Sequence, residues 1–141
     1  MITAQLLYPV FVQVALTFFL LVWMGRARLA ALRDKEVKLP DIAVGQRAWP
    51  VRVQQISNTY QNQFELPLLF YALIALCAQH GRLIDETMVV LAWTFVGTRL
   101  IHAYIYTTSN VIRWRFNVFA LGMLILFAMW VLFAFRLITQ G

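Results

Sequence analysis

Four polar side chains stand near the end of an otherwise apolar stretch: Arg99, His102, Tyr106 and, past a short polar link, Arg113. An arginine within a membrane segment is costly and is seldom there without a partner or a job. At about 100° per residue, Arg99, His102 and Tyr106 project from one side of a helix. A guanidinium, an imidazole and a phenol on one wall can hold an anion and donate hydrogen bonds to it. A second polar row, Asn58, Asn62 and Glu65, has the spacing i, i+4, i+7, with Gln55 and Gln61 flanking it.

Glu65 falls roughly half-way along its segment. A lone carboxylate at that depth is either neutral or held by a cation. Arg99 is the only other charged residue within an apolar span at comparable depth. Glu65 therefore has two readings: a charged pair with Arg99, within one chain or between chains, or a protonated acid bonded to Asn62 or to a backbone carbonyl. Arg99 has a second reading too, with its guanidinium snorkelling to the membrane surface. That reading gives His102 and Tyr106 no reason to share its face. Tyr104 lies off that face and reads as an interface anchor.

The elements that must position these rows are apolar. The chain has 141 residues, 62% hydrophobic and 13% charged, a balance that suits an integral membrane protein. Apolar runs cover residues 6–24, 66–77, 88–106 and 116–137. A spanning helix needs ~20 residues. The second run reaches that length only if its helix begins near Trp49 or Val51 and carries Asn58, Asn62 and Glu65 inside. The expectation is a single all-α domain, a four-helix transmembrane bundle with helices at about residues 4–33, 50–79, 86–107 and 111–138. The first run lacks the basic start and small-residue cleavage site of a signal peptide. Residues 26–33 are good helix formers and extend the first helix. Pro40 and Gly45 break the helical pattern beyond it, and Pro50 suits the first turn of the next helix. Asp85 is placed to cap the third helix.

A net charge of +6 raises the question of nucleic acid. Its distribution answers it. Arg26, Arg28, Arg33, Lys35, Lys38, Arg47 and Arg52 lie in or beside the first connection, and Arg113 and Arg115 at the third. Arg82 is offset by Asp85 and Glu86. This is the positive-inside pattern of four spans with both termini on the non-cytoplasmic side. The basic loop meets anionic lipid headgroups, not nucleic acid. Arg113 and Arg115 both fit that flank pattern, and Arg115 is read as nothing more. No metal spacing is present: Cys77 is alone in an apolar run, and His80 and His102 lie in different segments. A transporter is disfavoured by the absence of a repeat or a pair of broken helices.

The string Arg99-x-x-His102-x-x-x-Tyr106 followed by Arg113 resembles the third-to-fourth-helix motif of the MAPEG family, the membrane-associated proteins of eicosanoid and glutathione metabolism. The segment from Asn58 to Pro67, with Asn62 and Glu65, is similar to that family's second-helix signature. The resemblance covers nearly the whole chain. It implies a homotrimer that binds glutathione between neighbouring subunits near the cytoplasmic side, in a multi-pass protein of a bacterial inner membrane. It implies that Arg113 stabilises the glutathione thiolate, with Asn58, Asn62, Glu65, Arg99, His102 and Tyr106 holding the peptide. The second helix departs from the family pattern: Asn58 stands where an arginine is common, Leu66 where a tyrosine is common, and Pro67 follows Glu65 by two residues instead of three. The chain is thus expected to be a divergent member.

Three functions are compatible with these residues. One is a glutathione transferase or peroxidase acting on lipophilic substrates. Another is a non-enzymatic trimeric scaffold or accessory subunit, in which Glu65 and Arg99 only fasten helices. The last is a lipid- or quinone-binding module with His102 and Tyr106 facing a headgroup. The first requires Arg113 to face the same cleft as Arg99 and Tyr106.

Overall fold

A computed structural model describes residues 2–43 and 48–140. The readings of Gly45, Arg47 and the Arg82 side chain lie outside the described residues. The chain is helical throughout, with no strand among the described residues. Helix α1 runs Ile2–Arg33, α2 is the single turn Leu39–Ile42, α3 runs Val51–Gln61, α4 Leu66–Gln79, α5 Glu86–Thr107 and α6 Ile112–Gln140. Three segments are long and apolar enough to cross a membrane: Ala4–Arg33, Glu86–Thr107 and Ile112–Gln140.

The expected single helix over residues 50–79 is two helices. Its ladder breaks at a 3₁₀ turn, Asn62–Phe64, and restarts as α4 with Pro67 in the first turn. The cause is local. Pro67 has no N–H to give to the carbonyl of Gln63, and its ring crowds that carbonyl. A new helix accepts proline in its first turn, where no N–H is needed. By itself α4 is about 21 Å long, short of a ~30 Å hydrocarbon core.

Local chemistry ends the other helices. At the end of α1, Lys35 takes the left-handed conformation with φ 58. Its N–H donates to Leu32 O and that of Glu36 to Ala31 O, which closes the last carbonyls of the helix in a Schellman arrangement. Asp85 caps α5, its Oδ1 accepting from the Met88 N–H at 3.0 Å. Arg136 of α6 then grips the same carboxylate with both Nη atoms, at 2.8 and 2.5 Å, and donates to Leu83 O. That guanidinium holds the Asp85 carboxyl down at about 2.

α5 and α6 share the most extensive packing among the described helices, and α1 lies against both α3 and α5. The core lies between Arg99 and the Asp85–Arg136 contact: Phe70 stacks on Phe95 at 4.8 Å, among Ile74, Met88, Leu126, Met129 and Phe133. Phe11, Phe18, Val22, Leu124, Phe127 and Phe135 are exposed on the outer faces. Those faces suit lipid as solvent, since hydrocarbon tails are as apolar as the side chains.

At the arginine-rich end the packing is polar. α3 reaches across to the last turn of α5: Arg52 donates through Nη1 to Thr107 O, and Gln55 Nε2 to Tyr106 O at 3.5 Å. A cation at a helix C-terminus satisfies free carbonyls and meets the negative end of the dipole. Arg52 also lies over the Trp23 ring at 5.3 Å, and Arg28 over Trp49 at the same distance while donating to Ser57. Thus the start of α3 and the end of α5 are fastened together.

Candidate functional site

α5 brings Arg99, His102 and Tyr106 to one side, and that side faces α6. Arg99 is 2% exposed. Its guanidinium carbon lies 5.7 Å from the Phe95 ring centre and 5.3 Å from that of Phe119. Space for it exists because α6 carries glycine there. A Cβ on Gly122 would stand 2.7 Å from Arg99 Nη2 and 2.6 Å from Thr98 Oγ1. Nε and Nη2 of Arg99 have no hydrogen-bond partner among the described residues.

The expected Glu65–Arg99 ion pair is not made within the chain. The ion pairs among the described residues are Arg33–Asp34 and Asp85–Arg136. Glu65 is exposed at the helix break, where it precedes α4. Its field reaches Arg99, but its carboxylate does not touch it. The 3₁₀ turn is the physical reason: it ends the 100° progression that would have kept Glu65 on the face of Asn58 and Asn62.

An open cleft of about 270 Å³ lies beside Arg99, lined by Asn62, His102, Tyr106, Ile112, Arg115, Phe116 and Phe119. Arg99 sits behind its Phe119 wall and does not line it. The His102 ring stands edge-on to Tyr106 at 6.0 Å and tilted to Phe119 at 5.9 Å. Arg115 lies over the face of Tyr106, 4.1 Å from the ring centre, and donates through Nη1 to Asn110 Oδ1 at 2.6 Å. Among the described residues no carboxylate lines the cleft. One wall is cationic and hydrogen-bonding; the other is apolar. The arrangement fits an anion at Arg115 and Tyr106 with an apolar molecule against Phe116 and Phe119.

The structure thus unites three of the seven site residues expected from sequence. Asn62, His102 and Tyr106 line the cleft, and Arg99 backs it. Asn58 is half-buried on α3 and does not line it. Glu65 and Arg113 are exposed and do not line it either, so the requirement that Arg113 share the cleft with Tyr106 is not met within the chain; Arg115 takes that place. The arginine inside the cleft is Arg115, read from sequence as a mere flank charge. Arg115, Phe119 and Gly122 are spaced i, i+4, i+7 and form the stripe of α6 that meets α5. Arg113 is about 200° from Arg115 around the helix. That stripe was the available signal.

A second polar group also escaped the sequence reading. Buried Gln13 donates from Nε2 to Gln63 Oε1 at 2.8 Å, and Gln63 Nε2 donates to Thr59 O at 2.9 Å. A lone glutamine in the middle of an apolar run was its only trace. Among the described residues no group of His, Cys, Asp or Glu could hold a metal ion.

A sequence model of the MAPEG family matches residues 6–135, which contain every residue of the cleft. The chain belongs to the MAPEG family. Comparisons with curated proteins and with solved structures returned no match. With three helices able to cross a bilayer, this MAPEG member is a membrane protein.

Proposed function

We propose that this MAPEG protein is a membrane-bound glutathione transferase or peroxidase acting on lipophilic substrates. The observation that carries the reading is the cleft itself: a guanidinium laid on a tyrosine, with histidine and asparagine beside it and an apolar wall opposite. In this reading α3 and α4 together make the second of four spans. Both termini lie on the non-cytoplasmic side, and the arginine-rich end faces the cytoplasm of a bacterial cell. A homotrimer places the open cleft against a neighbouring subunit. There the exposed residues Glu65 and Arg113 add to the site, and Asn58 borders it.

The chemistry rests on the charges. A free thiol has a pKa of ~8.5 and is mostly protonated at neutral pH. Arg115 favours the anion, and each unit of lowering corresponds to about 1.4 kcal/mol. The Tyr106 hydroxyl donates to the sulfur or to a carboxylate of the tripeptide. The thiolate then forms its bond to an electrophilic carbon while the leaving group departs with the electron pair. Phe116 and Phe119 hold the electrophile, which arrives through the bilayer.

Two measurements test this on the purified protein: ultraviolet difference absorption of a bound thiolate, and conjugation of glutathione to a generic aromatic electrophile. A saturable thiolate signal with turnover supports the reading. Absence of both at millimolar glutathione sinks it.

A further inference from the structure

The link between α5 and α6 contains a residue in an unusual conformation that touches the cleft arginine. Asn110 has φ 48. An L-residue in that region is uncommon, and asparagine is among the few that tolerate it. Its N–H closes onto Ile105 O at 2.8 Å, which folds the link back on the last turn of α5. That conformation aims the side chain along the start of α6, where Oδ1 accepts from Arg115 Nη1 at 2.6 Å. The same guanidinium lies 4.1 Å over Tyr106. Arg115 is therefore held from two sides, by an amide oxygen and by an aromatic face.

The choice of amide matters. A carboxylate at 110 would hold Arg115 as well but would cancel its charge. An amide oxygen fixes the guanidinium and leaves its full positive charge for an incoming anion. The charged and titratable groups around Arg115 are Tyr106 and His102 on α5 and, behind Phe119, Arg99. The 3₁₀ turn after α3 contributes uncharged Asn62, and among the described residues no carboxylate lines the cleft.

We infer that Asn110 is a positioning residue: it latches Arg115 onto Tyr106 with a neutral acceptor, and so sets how strongly the cleft favours a bound thiolate. What the latch does rests on the glutathione reading; the latch itself does not.

The test uses the full-length protein in detergent micelles and two variants. Asn110→Gly keeps the left-handed turn, which glycine adopts freely, and removes the acceptor. Asn110→Asp keeps the acceptor and adds a charge. One readout needs no glutathione: the rate at which phenylglyoxal modifies Arg115, followed by peptide mass spectrometry, with Arg33, whose side chain is 77% exposed and far from the cleft in sequence, as internal reference. The other is the pH midpoint of the bound-glutathione thiolate.

Asn110→Gly is expected to speed Arg115 modification severalfold relative to Arg33. It should raise the thiolate midpoint by about one pH unit, a tenfold loss of thiolate where the thiol is mostly protonated. Asn110→Asp is expected to keep modification as slow as in the wild type and still raise the midpoint. General damage to the fold would not separate the two readouts in this way. Unchanged modification and an unchanged midpoint in Asn110→Gly overturn the latch. If the wild type shows no bound thiolate, the glutathione reading fails, and the modification rates still decide whether Asn110 holds Arg115.

Discussion

Gly122 of α6 is the floor on which the Arg99 guanidinium of α5 rests: a methyl group at 122 would meet Nη2 at 2.7 Å. Close helix approach and a buried cation are thus one feature. Gly122→Ala is expected to destabilise the protein by about 1–3 kcal/mol through overpacking. Thermal unfolding in one detergent measures it. In an Arg99→Met background the same change should cost clearly less. Equal costs in both backgrounds would show that the Thr98 hydroxyl, 2.6 Å from that methyl, and not Arg99, sets the need for glycine at 122.

Arg99 itself is a buried charge with two nitrogens that find no partner among the described residues. Replacing such a group by an apolar residue of similar volume is often neutral or stabilising, whereas truncating it leaves a hole. Arg99→Met is therefore expected to match or exceed the wild-type melting temperature without ligand. Arg99→Ala should lose about 2–4 kcal/mol. A large loss in Arg99→Met would reveal a partner for the guanidinium that the single chain does not contain.

Arg115 and Arg113 are expected to differ sharply. Arg115→Gln should lower turnover of glutathione conjugation about 10²-fold, the scale of removing a preorganised donor to a developing or resident charge. Arg113→Gln should lose far less, because Arg113 does not line the cleft in the chain. Initial rates at saturating glutathione decide between them. The reverse order would place the thiolate at the subunit boundary beside Arg113.

The Asp85–Arg136 contact gives a pH dependence with a definite sign. The carboxyl has a folded value of about 2 against an ordinary 3.8. A lowered carboxyl stabilises the fold above its ordinary value and loses that contribution as pH falls through the folded value. Asp85→Asn is thus expected to cost about 1 kcal/mol near neutral pH, after allowance for solvent screening of a half-exposed pair. The difference from wild type should shrink between about pH 4 and 2 and vanish below. Melting temperatures across that range check it. A difference that persists at still lower pH would mean the cap hydrogen bond dominates.

The row Arg99–His102–Tyr106 was legible because a helix repeats at 3.6 residues and nothing interrupts α5. The cap at Asp85 was legible for the same local reason. Arg115 was not. The link at residues 108–111 resets the helical phase, so no count from Tyr106 across it predicts a direction. The break of the second span was half-written in Pro67. That residue marks where a ladder must stop but not which way Glu65 then faces. Gln13 was lost in an apolar average, since one amide among many alkyl groups barely moves mean hydropathy. Packing partners, not propensity, decide such residues.

The 3₁₀ turn at Asn62–Phe64 divides one span into two mutational regimes. On its far side, α4 meets its neighbours through Phe70, Leu73, Ile74 and Cys77, all buried in the apolar core. Substitutions there are governed by volume, and shape-preserving exchanges are cheap. On its near side and in the turn itself, Arg52, Gln55, Ser57 and Gln63 each bond a named carbonyl, amide or guanidinium on another segment. There even a polar-for-polar exchange misplaces a bond. A saturation scan along these residues should therefore step from strict to permissive within a single turn of chain.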